Sequence, residues 1–181
     1  IGWATTLGGS VSYADRASYT MGSADVTLYA VWEADNGLVY RLINNGTEYE
    51  VSCGTYAGTT LTIPEYYGGK KVTRIAKNGF TGKTQLTSIS LPSSIKSIGD
   101  FAFQSCTGLT GSLTIPSGVK SIGGWAFNYC TGLNGSLTIP SSVTSIGYRA
   151  FDGCSGLTGS LTIPSGLTSI EASTFFNCKG L

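Results

Sequence analysis

The chain has 181 residues, a mass of 18.8 kDa, 12% charged residues and a formal charge of +1. That balance excludes the concentrated positive field that nucleic acid requires, and the absence of histidine excludes Ser-His or Cys-His catalysis and histidine-ligated metals. Gly, Ser and Thr make up about 40% of the chain, a linker-like share, yet the 41% of hydrophobic residues suffices for a packed core.

Residues 1–33 carry no periodic pattern. They are expected either to pack as stray strands on the hairpin that follows or to be partly disordered. Residues 34–60 read as a β-hairpin and a half coil. Stretches 38–43 and 47–51 flank Asn44-Asn45-Gly46, a strong hairpin turn signal. Cys53-Gly54-Thr55-Tyr56 then imitates Cys106-Thr107-Gly108-Leu109.

Residues 61–181 are a repeat. Leu-Thr-Ile-Pro stands at 61–64, 113–116, 137–140 and 161–164, with the variant Ile-Ser-Leu-Pro at 89–92. All five prolines occupy this slot, at intervals of 28, 24, 24 and 24 residues. Phe103, Phe127, Phe151 and Phe175 keep the 24-residue period, as do Ile98 to Ile170 and Cys106 to Cys178. A fixed period of this length means stacked coils, none of which buries its apolar side alone. Leu-Thr-Ile predicts a short strand ended by proline, which lacks a ladder N–H. Val-x-Ser-Ile-Gly predicts a second extended segment, and the Ala-Phe stretch a tight helical turn. The predicted fold is a β-rich solenoid of short parallel strands, about 24 residues per coil, right-handed by the usual crossover preference. Its coils begin at residues 61, 89, 113, 137 and 161, the first with five extra residues after Pro64.

The run I-P-S-x-V-x-S-I-G-x-x-A-F-x-x-C resembles the BspA-type, or Treponema pallidum-type, leucine-rich repeat of bacterial surface proteins. The resemblance covers 61–181 and implies a leucine-rich-repeat solenoid, with 34–60 as its N-terminal hairpin cap. Residues 25–32, with Gly2-Trp3, resemble the closing part of a Listeria–Bacteroides repeat, a small β-grasp-like module. The chain stops at Cys178-Lys179-Gly180-Leu181, halfway round a coil, and reads as a fragment of a longer protein.

Four features of the sequence bear on chemistry. The cysteine column, flanked by apolar residues, reads as a row of buried thiols, although Lys83 takes its place in the first coil. Phe101, Trp125 and Arg149 share a slot two residues before the core Phe, next to Asp100, Gly124 and Tyr148, with Tyr129 close by. This slot varies from coil to coil, so Phe101, Trp125, Tyr129, Tyr148 and Arg149 read either as flank packing or as a partner-binding strip. Thr62, Ser90, Thr114, Thr138 and Thr162 form a polar column, read as a solvated face or a glycan surface. Lys70, Lys71, Arg74, Lys77 and Lys83 form a basic cluster, read as a solvated end or as a patch for an anionic ligand such as a sulfated glycan.

No carboxylates pair within a column, and no phosphate-cradling loop precedes a long helix. The sequence therefore assigns no catalytic, cofactor-binding or metal-binding residue. It points to a non-enzymatic module, and the resemblance implies an extracellular or cell-surface location and adhesion to a protein or glycan. Nucleic acid and membrane insertion of this segment are not expected. The rival reading is a structural stalk that displays other domains.

Overall fold

The structure, a computed structural model, describes residues 2–4, 13–14, 29–31 and 36–181. The chain divides into two units, Ile1–Asn36 and Gly37–Leu181. In the first, β1 (Gly2–Ala4), β2 (Tyr13–Ala14) and β3 (Tyr29–Val31) form an antiparallel sheet in the order β2-β1-β3. Strand β3 falls within 25–32, and the rest of that stretch, on which the resemblance to a Listeria–Bacteroides repeat rests, lies outside the described residues.

The second unit opens with the expected hairpin. Strands β4 (Val39–Ile43) and β5 (Glu48–Ser52) pair antiparallel from Val39↔Ser52 to Ile43↔Glu48. The turn needs three left-handed residues, and Asn44, Asn45 and Gly46 supply them with φ of 49°, 54° and 79°. Asparagine and glycine are the residues that tolerate this region. The Thr47 hydroxyl donates to the Asn44 carbonyl at 2.7 Å and fixes the turn.

Strands β6 (Thr60–Thr62), β7 (Tyr66–Tyr67) and β8 (Lys70–Ile75) belong to the first coil. β9 (Ser88–Ser90) and β10 (Ser97–Ile98) belong to the second, and β11 (Gly111–Thr114) leads from it into the third, which contains β12 (Ser121–Ile122). β13 (Leu133–Thr138) leads into the fourth coil, which contains β14 (Ser145–Ile146). The 24-residue period places Ser97, Ser121 and Ser145 side by side, and likewise Ile98, Ile122 and Ile146, while Arg74 and Ile75 of the first coil join the same columns at an interval of 23. These parallel strands continue the hairpin in one sheet, β14-β12-β10-β8-β5-β4. The Leu-Thr-Ile segments form two separate parallel pairs, β6 with β9 and β11 with β13.

Proline joins the two strand columns in the expected way. Its carbonyl accepts the N–H three residues on, as in Ile95 to Pro92 at 3.1 Å and Val119 to Pro116 at 3.0 Å. In the first coil a small hairpin replaces this turn. β7 and β8 pair across Gly68 and Gly69, and Val72 N–H reaches the Glu65 carbonyl at 2.9 Å. The five extra residues thus leave the frame without disturbing it.

The turn around the core Phe corrects one expectation: it holds no helix. Ala102, Gln104 and Cys106 donate to the residue three before them within the coil. Phe101, Phe103 and Ser105 donate instead to Gly124, Ala126 and Asn128 of the next coil at 2.7–2.9 Å. A helix would spend every N–H inside its own coil, so it loses to the arrangement that also ties neighbours together. The cost is two left-handed residues per coil, four apart.

The core runs unbroken through the stack. Phe80, Phe103, Phe127, Phe151 and Phe175 stack with centroids 5.2–5.5 Å apart and planes within 11°. Each fully buried Phe contributes about 1.5–3 kcal/mol from area alone. Among the described residues no helix is long and apolar enough to cross a membrane.

Candidate functional site

Beside the Ser-Ile strands lies a groove of about 670 Å³. Its floor carries Ser97, Ser121 and Ser145, one hydroxyl per coil. Gly123 and Gly147 let the coils close up there: a Cβ on either would stand 2.5 Å from a backbone nitrogen of the preceding coil. Arg41, Arg74 and Lys77 stand at the hairpin end of the lining, and Glu171 in the last coil.

The basic end is already paired. Glu50, 7% exposed, accepts from Arg41 Nε at 2.6 Å and faces Arg74 at 3.9 Å. Arg74 Nε also donates to the Ser97 hydroxyl at 3.2 Å. Glu48 takes Lys96 and the Thr73 hydroxyl, and the Lys96 contact holds its carboxyl below the usual range. The predicted basic cluster is therefore divided. Arg74 and Lys77 face the groove, Lys70 and Lys71 sit on the inserted hairpin, and Lys83 is half-buried in the thiol column. Lys71 faces Glu65 at 3.8 Å and lies 5.7 Å from the Tyr66 ring centroid.

The aromatic slot forms one continuous strip. Asp100 and Gly124 line the groove and directly precede Phe101 and Trp125 in the chain. Phe101 stacks on Trp125 at 4.9 Å with planes 9° apart, and Tyr148 meets Trp125 edge-on at 4.9 Å. The Arg149 guanidinium lies 5.2 Å from the Tyr148 ring centroid. Tyr129, 52% exposed, rests against Gly153 in the next coil, where a Cβ would come within 2.7 Å of its ring. All the strip residues except Tyr148 have φ between 53° and 57°.

Under Arg149 lies Asp152, 2% exposed, its Oδ2 3.7 Å from the guanidinium and its Oδ1 without a hydrogen bond. In the coil before, the same slot holds Asn128, whose amide donates to the Asp152 carbonyl at 3.0 Å.

The cysteine column is more than apolar filling. Cys106, Cys130, Cys154 and Cys178 each donate S–H to the Phe carbonyl of the preceding coil at 3.1 Å. Burial pushes Cys106 and Cys178 up to about 11, Cys154 to about 12, and Cys130 also well up. Thiols held protonated are poor nucleophiles and poor metal ligands. The Thr column is exposed, but its sheet is interrupted between Ser90 and Thr114.

Sequence reasoning located the strip and missed the groove floor. The recurring Ser before each recurring Ile was its signal, since that Ser recurs as strictly as the core yet does not belong to it.

Comparison with known proteins also finds a repeat over this part of the chain. Residues 53–181 match the BspA type leucine-rich repeat region in six copies. The chain belongs to this family. Among solved structures it is similar to the leucine-rich repeat protein of T. pallidum, with 28% identity over 81% of this chain and 67% of that one, TM-score 0.74. It is similar to a leucine-rich cell surface protein of Faecalibacterium prausnitzii, with 30% identity over 83% and 41% of the two chains, TM-score 0.70. A leucine-rich repeat protein of Bacteroides ovatus matches at 27% identity over 84% and 45%, TM-score 0.55. The chain thus spans less than half the length of the latter two. A comparison with curated proteins gave no match.

Proposed function

We propose that this leucine-rich-repeat chain is a non-enzymatic protein-binding module of a bacterial cell-surface or secreted protein. It engages a protein on a host or microbial surface through the groove and its aromatic rim. One observation carries this reading: bulky side chains occupy backbone positions that do not need them. The same two slots hold Asn78, Gly82, Gly153 and Asn177 in other coils, residues that suit a left-handed φ. Phe101, Trp125, Tyr129 and Arg149 there cost roughly 1–2 kcal/mol each. The Phe101–Trp125 stack offsets part of that cost within the fold, and a partner surface accounts for the rest.

A protein fits the rim better than a sugar. Phe101 and Trp125 turn their faces to each other, and Arg149 lies against Tyr148. What remains outward is ring edges, a phenol and a guanidinium, the chemistry of protein hot spots rather than of a saccharide platform. Lys77, a groove cation with no ion pair among the described residues, suits an acidic segment of that partner. The stalk reading draws on the same Phe101–Trp125 stack, which clamps adjacent coils.

Labelled protein titrated onto intact host or microbial cells separates the readings. Saturable binding is expected, lost after protease treatment of the cells and kept after glycosidase treatment. The triple variant Phe101→Asn, Trp125→Asn, Arg149→Asn keeps residues that tolerate the backbone and should bind at least tenfold more weakly. Absence of binding on all cells tested, or binding untouched by the triple change, would leave the stalk. Binding that resists protease and is lost to glycosidase would make the partner a glycan.

A further inference from the structure

One joint inside the stack differs from its neighbours on the Leu-Thr-Ile face. β6 pairs with β9 and β11 with β13, yet β9 and β11, consecutive in that column, do not pair. The sequence supplies the cause. From Leu86 to Ile89 is three residues, where Leu109 to Leu113 and Leu133 to Leu137 are four. The second coil thus reaches its strand one residue early. Ile89 and Leu91 are half-buried there, where Leu113, Ile115, Leu137 and Ile139 are buried. A cleft of about 110 Å³ separates the two strands, with Ser88, Ile89, Leu113 and Thr114 in its lining. At the corner that follows, Ser94 and Ser142 donate to the Val72 and Val119 carbonyls of the coils before them, at 2.8 and 2.7 Å. The third coil holds Gly118 in that slot, with no hydroxyl to give. Ties resume at the two ends of the cleft, where Thr110 N–H meets the Thr87 carbonyl at 3.0 Å and Lys120 N–H the Lys96 carbonyl at 2.8 Å.

We infer that the slot between the second and third coils is a flexural joint, at which the Leu-Thr-Ile face opens and closes while the rest of the joint holds. β10 and β12 pair there in register, and Phe101, Phe103 and Ser105 donate across it at 2.7–2.9 Å, so the joint bends rather than parts. Missing ladder bonds and thinner apolar packing are what lower the free energy of a local opening. The same joint carries the Phe101–Trp125 stack, with Phe101 on the second coil and Trp125 on the third. Bending therefore moves two parts of the aromatic rim against each other. The joint belongs to the free chain, and only its use in seating a partner rests on the protein-binding reading.

Amide hydrogen exchange of the whole chain without a partner tests it. Lys96, Lys120 and Thr144 make the same backbone bond to the preceding coil, at 2.8, 2.8 and 2.9 Å, so differences among them read opening rather than geometry. Protection corrected for intrinsic rates should be at least tenfold lower at Lys120 than at Lys96 and Thr144. Insertion of one glycine between Thr87 and Ser88 gives the second coil the approach length of the third. It should pair β9 with β11 and bring Lys120 within about threefold of the other two. Equal protection at the three positions in the unmodified chain would overturn the inference, whatever the insertion does. An inserted chain that pairs β9 with β11 and still leaves Lys120 tenfold less protected would overturn it as well.

Discussion

Residues 137–140 and 161–164 are the same tetrapeptide, Leu-Thr-Ile-Pro, and they fold differently. In the fourth coil Leu137 and Ile139 are buried, 3% and 7% exposed, and Leu137 and Thr138 end strand β13. In the fifth, Ile163 is 38% exposed and no strand forms. The fifth coil is held by its turn, through Phe151 to Thr174 and Gly153 to Phe176, by Cys178 on Phe151, and by the bridge Thr158↔Gly180. Sequence sets what a coil can become, and its neighbours decide how much of it forms. The turn forms first in this sense, since it needs only the coil before it. Strands β13 and β14 of the fourth coil likewise pair only with β11 and β12 before them, so the fifth coil's segments stop short although that same side is offered to them.

Substitutions can break that comparison. The largest effect is expected at Phe127, stacked between two rings in the middle of the column. Phe127→Ala should cost about 3–5 kcal/mol in denaturant unfolding. Phe175→Ala, half-buried with one stacked neighbour, should cost about half as much. Equal losses would mean the last coil is as consolidated as the third.

Alkali should act on the same gradient. Burial raises the thiols of Cys106, Cys154 and Cys178 to about 11–12 from 9.0, with Cys130 also raised. The folded state favours the protonated form, so this stability is complete below pH about 9. It falls as the pH rises toward 12, because the unfolded chain then binds fewer protons. Unfolding midpoints measured from pH 8 to 11 should decline accordingly. At pH 8 a disulfide reagent should reach Cys178 at the open end before Cys106, Cys130 or Cys154, and uniform reactivity would contradict the gradient.

Asp152→Asn should raise stability by about 1 kcal/mol. It removes a buried oxygen without a hydrogen bond and supplies an amide that can donate to the Phe176 carbonyl, as Asn128 does to Asp152. A loss measured by thermal unfolding would show that the Arg149 ion pair outweighs that gain. The smallest change belongs to Trp125→Asn, expected within about 1 kcal/mol of zero. Relief of the left-handed backbone there offsets the lost ring stack. A loss of several kcal/mol would make Trp125 a structural clamp rather than a presented side chain.

Much of this was legible in the sequence because each core contact is repeated. Phe127 sits over Phe103 for the same reason that both occur at a 24-residue period, and the hairpin announced itself through Asn44-Asn45-Gly46. The turn was misread because apolar spacing around Ala126-Phe127 suits a helix. Nothing in one coil reveals that alternate N–H groups bond to the next. The groove needs neighbouring coils before its Ser column becomes a floor. The pairing of Arg41 with Glu50 depends on hairpin register, and that of Arg74 with Glu50 also on how the hairpin meets the first coil. The inserted hairpin was visible only as surplus length, although Gly68-Gly69 between Tyr67 and Lys70 is a turn signal of the kind used at 44–46.

That insertion says where the solenoid can be edited. Pro64 and Ile75 stand 11 residues apart where Pro92 and Ile98 stand 6 apart, yet Ile75 and Ile98 pair in register. The corner after each proline is thus a splice site that absorbs foreign sequence without shifting the phase of the coils. A hairpin epitope grafted after Pro116 or Pro140 should be carried at a defined height on the column. The same graft placed between Ala126 and Cys130 would put every donor out of step with its acceptor.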